Sequence, residues 1–483
     1  MISTFWTTMA RDRWVWAGLV CVALVSIPLA LIMPGSDWLN HVWMVDYQAR
    51  FFANHGWFAS QWNTDQIAGM NFPVFYGYLF FPLIGMCSTL LSANMTLRIM
   101  AVGLLLLQFI LIYKASAQWT GNRFFAFTLG TLAVWSIYPL TNLYNRGAIP
   151  EFFACGLLTC ACVALVQALR TESRRNLWMW CNFSVLCLCT CAGTHPITAL
   201  FGVPFYALLF GMGVVGQRRR ALPVLLALLL PSVIATICLA PWVVATARYN
   251  KSLDIASTFR EVSYYPKSID GLLLKICPIP VPYQHLRHKA VDEHMGTPGL
   301  DAQINMPMLV LCLFVLVALI RQKRLRPTLI VCSAVLLGLA AWLTYLSSVQ
   351  YSLDKLGYYV RAIQFAYRLV TYINLSIFAA LILAVSQSSR TIASAAADSL
   401  SNAPNLLPPI DEASSESASA SSLSTAVPRE QSLHADGSRA GTASSLKEMA
   451  APTPKARGAA WPDRTALVAP AVLVPLLLIG VVA

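Results

Sequence analysis

The chain has 483 residues, of which 57% are hydrophobic and only 11% charged, with a formal net charge of +13. A soluble domain carries about 25% charged residues, so lipid rather than water is the main solvent for this surface. The positive balance does not mark a nucleic-acid binder, because the basic residues sit in short loops between apolar runs, the pattern that sets membrane topology.

The expected fold is all-α: a polytopic transmembrane helix bundle of about 10–11 spans, each roughly 20 apolar residues long. The candidate spans are 14–33, 96–113, 124–141, 152–169, 177–193, 197–215, 221–243, 306–320, 328–347, 367–386 and 466–483. The first has no small-residue cleavage site beyond it and reads as a retained helix rather than a signal peptide. One further apolar run, 72–92, contains two prolines and two glycines. Treating it as interfacial or re-entrant puts every basic cluster on one side: Arg11/Arg13, Lys114/Arg123, Arg170/Arg174/Arg175, Arg218/Arg219/Arg220, Arg321/Lys323/Arg324/Arg326 and Arg390. Treating it as a span puts the first pair opposite the rest, so the interfacial reading is preferred.

The opposite side then receives the loops 34–95, 142–151, 194–196, 244–305 and 348–366. Residues 1–386 form the membrane core in this reading. Residues 387–465 are Ser/Ala-rich with almost no aromatics, a composition that cannot bury enough surface to fold, and read as a disordered cytoplasmic linker. The run 466–483 is a final transmembrane helix that ends abruptly at Ala483, as in a truncated chain. The thirteen cysteines lie almost entirely inside apolar runs without CxxC pairs and read as small buried hydrophobes. Gly-rich phosphate loops are absent, so nothing points to an ATPase.

Four segments on the non-basic side carry candidate chemistry. GSDWLNH (35–41) follows the first span and puts Asp37 at the boundary. On an interfacial helix, Asp37 and His41 share a face. An ionisable group at membrane depth is a functional candidate, and a helix N-cap is the alternative. NLYNRGAIPE (142–151) brings Arg146 and Glu151 to the mouth of two helices. They suit phosphate and hydroxyl binding, or form a loop salt bridge. THP (194–196) places His195 at a helix start, as ligand-binding residue or as structural histidine. VRAIQFAYRL (360–369) carries Arg361 and Arg368 seven residues apart, to grip a lipid phosphate or to snorkel; Arg98 poses the same choice. The run HLRHKAVDEH (285–294) matches no sharp metal motif.

These pieces, GSDWLNH, YNRGAIPEF, THPITAL and QFAYRLV, occur in order within roughly the first 390 residues. Their order and shared side resemble the GT-C superfamily of polytopic glycosyltransferases. Within it the pattern looks most like bacterial membrane proteins labelled 6-pyruvoyl-tetrahydropterin-synthase-related. The resemblance implies a GT-C-like fold with interfacial helices in the first periplasmic loop, and residence in the bacterial inner membrane. It implies transfer of a sugar from a polyprenyl-phosphate donor to a glycan, lipid or protein acceptor of the cell envelope. Asp37 and Glu151 would be catalytic, Asp37 as the catalytic carboxylate and Glu151 at the second acidic position, with His41, Arg98, Arg146, His195, Arg361 and Arg368 binding substrate. Many members carry a paired acidic motif, whereas Asp37 is followed by Trp38. No cofactor is assigned; the resemblance allows a divalent cation, Mg or Mn. The expected partners are membrane lipids and these substrates, not nucleic acid. The alternatives are a transporter or flippase of lipid-linked precursors and a non-catalytic assembly subunit.

Reporter fusions placed after Ser116 and after Arg220 are expected to report the same, cytoplasmic compartment. Signal from the opposite compartment at both positions overturns the topology.

Overall fold

The computed structural model describes residues 12–31, 33–35, 37–56, 77–252, 303–348 and 366–401. Every regular element among them is helical. In chain order they are α1 (Arg13–Leu31), α2 (Asp37–His55), α3 (Phe80–Ser88), α4 (Ala93–Thr120), α5 (Arg123–Val134), α6 (Ile137–Thr141), α7 (Ile149–Arg170), α8 (Arg174–Thr194), α9 (Pro196–Gly216), α10 (Arg218–Ser252), α11 (Met306–Arg321), α12 (Pro327–Ser348) and α13 (Leu369–Ser401). Helix is the form in which backbone immersed in lipid satisfies its own hydrogen bonds. Starts are fixed by side-chain caps: Ser92 accepts from Met95 N, Asn122 from Phe125 N, and Asn305 from Met308 N.

Eight of these helices are long and apolar enough to cross a membrane, making this a multi-pass membrane protein. The run expected as one span over 124–141 is instead two helices, α5 and the α6 segment, bent by 41° at a short break. Counting that pair as one crossing gives nine. Helix α11 has 16 residues, about 24 Å of rise, short of a hydrocarbon core of about 30 Å. Helix α13 continues to Ser401, past the expected end of the core at 386; positions 402–465 and the run 466–483 lie outside the described residues.

Contacts between sequence-distant residues order the two ends. At the basic end, Tyr113 Oη donates to Asp12 Oδ2 at 2.6 Å, and Arg123 pairs with the same oxygen at 3.5 Å. Trp119 Nε1 donates to Gln167 Oε1 at 2.6 Å nearby. At the other end, Trp38 Nε1 donates to Asn94 Oδ1 at 2.9 Å, and Leu79 N donates to Gly193 O at 2.8 Å. The chain therefore leaves α1 and enters α4 at the same end. Helix α3, only nine residues long, does not cross.

The centre of the bundle is the pair α7 and α13, whose apolar windows are 89% buried, against 17% for the peripheral α10. Small residues permit this depth: Gly156 of α7 sits where a Cβ would lie 2.7 Å from Leu104 of α4, and Gly202 of α9 is similarly close to Leu158. The cysteines Cys160, Cys162, Cys181, Cys187 and Cys191 pack in the same core. Both central helices begin at the non-basic end, and the residues at their starts form the candidate site.

Candidate functional site

Two interlocked turns make the floor of the site. After α6, residues Asn142–Arg146 form one π-helical turn, closed by Gly147 at φ 70°. A Cβ on Gly147 would meet Trp38 N at 2.6 Å, and one on Gly35 would meet Asn145 O at 1.9 Å, so both positions require glycine. Gly35 N donates to Tyr144 O at 2.8 Å, and Tyr144 Oη donates to Val25 O. Helix α2 is thereby clamped against the 142–147 turn with Asp37 as its first residue, where the helix dipole favours an acid. Asp37 and His41 do share a face, and both face that turn: His41 Nδ1 is 2.9 Å from Gly147 O, and Asp37 Oδ2 is 4.0 Å from Arg146 Nη2.

Glu151 is the hub. It lies in the first turn of α7 behind Pro150, with its side chain 2% exposed. Tyr138 Oη donates to Oε1 at 2.6 Å, Arg146 Nη1 donates to Oε2 at 2.8 Å, and Arg368 Nε is 3.5 Å from Oε2. Arg146 is itself held by Asn142 Oδ1 at 2.8 Å and lies 5.3 Å from the Tyr367 ring centre. Among the described residues, two carboxylates and two guanidinium groups thus balance in charge. Asp37 is the outermost, with 44% of its side chain exposed, against 13% for Arg146 and 11% for Arg368. Partial burial holds the Asp37 carboxyl above its usual range, while Arg146 pulls it down.

The two histidines are buried and neutral. Burial pushes His41 down to about 4, against the pull of the Gly147 carbonyl. Burial pushes His195 down to about 3, opposed by the charge of Glu151. His195 caps α9: its Nδ1 accepts from Thr198 N at 3.2 Å and lies 2.7 Å from Thr198 Oγ1, which leaves the neutral ring's proton on Nε2.

Asp37, His41, Arg146, Glu151, His195 and Arg368 therefore gather at one end of the bundle, although up to 331 positions separate them. Arg98 stands one layer aside: its Nε donates to Asn94 Oδ1 at 3.2 Å and its guanidinium lies 5.8 Å from the Trp38 ring centre. Arg361 and the run 285–294 lie outside the described residues. Arg368 sits in a single 3₁₀ turn, Ala366–Arg368, ahead of α13. Tyr138, Asn142 and Tyr367 belong to the cluster and were not singled out from sequence. Pro139 beside Tyr138 was the available signal, since it marks an interruption inside an apolar run. Among the described residues no three His, Cys, Asp or Glu side chains group as metal ligands. The oxygens of Glu151 are taken by Tyr138 and the arginines, so among the described residues the donor set around Asp37 does not suit a divalent cation.

The chain matches no family model, no curated protein and no solved structure.

Neutral histidines in the folded state give a pH dependence of known sign. Both pKa values are depressed below the unfolded value of about 6.5. The unfolded chain therefore takes up protons first on acidification, and stability falls as pH drops from about 6.5 towards 4. His195→Asn keeps a capping side chain and removes the titration. Its melting temperature in detergent is expected to change less between pH 7.5 and pH 5 than that of wild type; an unchanged slope contradicts the assignment.

Proposed function

We propose that this chain is a GT-C-type membrane glycosyltransferase of the bacterial inner membrane. It transfers a sugar from a polyprenyl-phosphate donor to an envelope glycan, lipid or protein acceptor on the periplasmic face. The supporting observation is the half-exposed carboxylate of Asp37 beside a buried cluster containing two arginines, at the end of the bundle opposite the basic loops. In this reading the Asp37 carboxylate takes the proton from the acceptor hydroxyl as that oxygen attacks the sugar carbon. The bond to the lipid phosphate breaks, and the phosphate leaves with the electron pair towards the positive charge of Arg146. Glu151 is a positioning residue: its oxygens hold Arg146 and Arg368 in place rather than meeting substrate. His41 fixes α2, and so Asp37, against the Gly147 turn. A lipid-borne donor accounts for a reaction centre at the bilayer boundary.

A transporter is the second reading, favoured by the 41° break between α5 and α6, since interrupted helices line many transport sites. It predicts little dependence on Asp37 at the boundary.

Asp37→Asn retains shape and helix-start preference but cannot accept the proton. Transfer from a polyprenyl-phosphate sugar in vitro, or the profile of lipid-extracted glycans, is expected to fall by about 10²–10⁴-fold with protein abundance near wild type. The wild-type acid limb is expected to lie above the ordinary carboxylate pKa of about 3.9, because burial raises Asp37. Full activity in Asp37→Asn refutes the catalytic assignment.

A further inference from the structure

Below the charged cluster, the bundle holds a half-open cavity of about 60 Å³, room for roughly four to six water centres. Cys155 and Thr159 on its wall lie one and two turns beyond Glu151, so it reaches roughly 6–12 Å further along α7. Two interruptions of helix meet here. One is the α5–α6 break, which contributes Ser136; the other is the start of the short α11, which contributes Asn305.

Among the described residues the wall mixes apolar and polar groups and carries no charge. Gln108, Ser136, Thr159, Asn305, Thr371 and Asn374 line it, with Phe378 adding an apolar ring. Part of this polar set is committed to the protein: Asn374 Oδ1 accepts from Asn305 N at 2.8 Å, and Asn305 Nδ2 donates to Leu132 O at 2.9 Å. Part is not. Asn374 Nδ2 is shut off from solvent without a hydrogen-bond partner among the described residues, and Gln108 Nε2 reaches Gly156 O only at 3.5 Å. Buried polar groups require partners, and polar side chains within a membrane bundle mark functional sites.

We propose that this cavity binds the uncharged, hydroxyl-bearing ring of a sugar, and so deepens the transferase reading, on which it rests for the kind of ligand. Amides and hydroxyls that both donate and accept match the hydroxyls of a sugar. A phosphate or a cation would be left without a counter-charge at this depth. An aromatic ring suits the apolar face of a pyranose. The seat lies beneath Arg146 and Glu151, so a sugar held there has its phosphate-bearing end towards the charged cluster.

The probe is a panel of tritiated methyl glycosides, measured by equilibrium dialysis against the full chain in lipid nanodiscs, with empty nanodiscs as blank. At least one glycoside is expected to bind saturably. Asn374→Leu is expected to weaken it tenfold or more. Thr159→Val, which keeps the volume and removes only a hydroxyl, is expected to weaken it in the same direction. Inorganic phosphate is expected not to compete. Absence of saturable binding, binding that survives Thr159→Val and Asn374→Leu unchanged, or displacement by phosphate each overturns the proposal. The catalytic assignment is read as transfer in Asp37→Asn and the sugar seat as glycoside binding in Thr159→Val and Asn374→Leu, so the failure of one and the failure of the other are separately visible.

Discussion

A carboxylate that is 2% exposed at the membrane boundary dictates the arrangement around it. Glu151 cannot remain ionised there without partners, and removing one partner from a buried ion pair costs about 3–5 kcal/mol. It recruits three from different parts of the chain: Tyr138 from α6, Arg146 from the π-helical turn, and Arg368 from the turn before α13. These contacts fix the height of α7 relative to α13, the two most buried helices, and hold the bent α5–α6 segment against both. The Gly35 and Gly147 interlock then fastens α2 to the same turn. Asp37 is carried to the edge of a network that is complete without it.

That asymmetry gives the two acids different work. Glu151 is saturated by hydrogen bonds and charge, which in the proposed transferase suits it to hold arginines and not to exchange a proton with substrate. Asp37 pairs with Arg146 at 4.0 Å and keeps 44% of its side chain exposed. One acid organises positive charge and the other remains available above it. The cavity beneath completes a vertical order of accessible carboxylate, charged layer and a chamber of mixed apolar and uncharged polar lining.

Much of this was legible in the sequence because the membrane makes local signals strong. Apolar runs marked the crossings, the one-sided basic loops pointed to 72–92 as a segment that does not cross, and the spacing of Asp37 and His41 gave their common face. The pairing of Arg368 with Glu151 was not legible, since 217 positions separate them and no local pattern encodes that contact. The break at Ser136 was hidden by hydropathy that continues across it. Tyr138 was masked for the same reason: in an apolar run an aromatic reads as lipid-facing or core, and only the fold turns its hydroxyl onto Glu151. His195 fills the structural one of the two roles a histidine at a helix start suggests, since its Nδ1 caps α9, and its ring borders the charged layer.

The central claim is that Glu151 and Arg368 are energetically coupled across the bundle. A double-mutant cycle of Glu151→Gln, Arg368→Gln and the double variant, read as unfolding free energy in nanodiscs, measures it directly. The account predicts that each single change destabilises and that the double loses less than their sum, with a coupling of about 0.5–3 kcal/mol. Losses that add to within about 0.5 kcal/mol would show that the two residues act independently and would contradict the account.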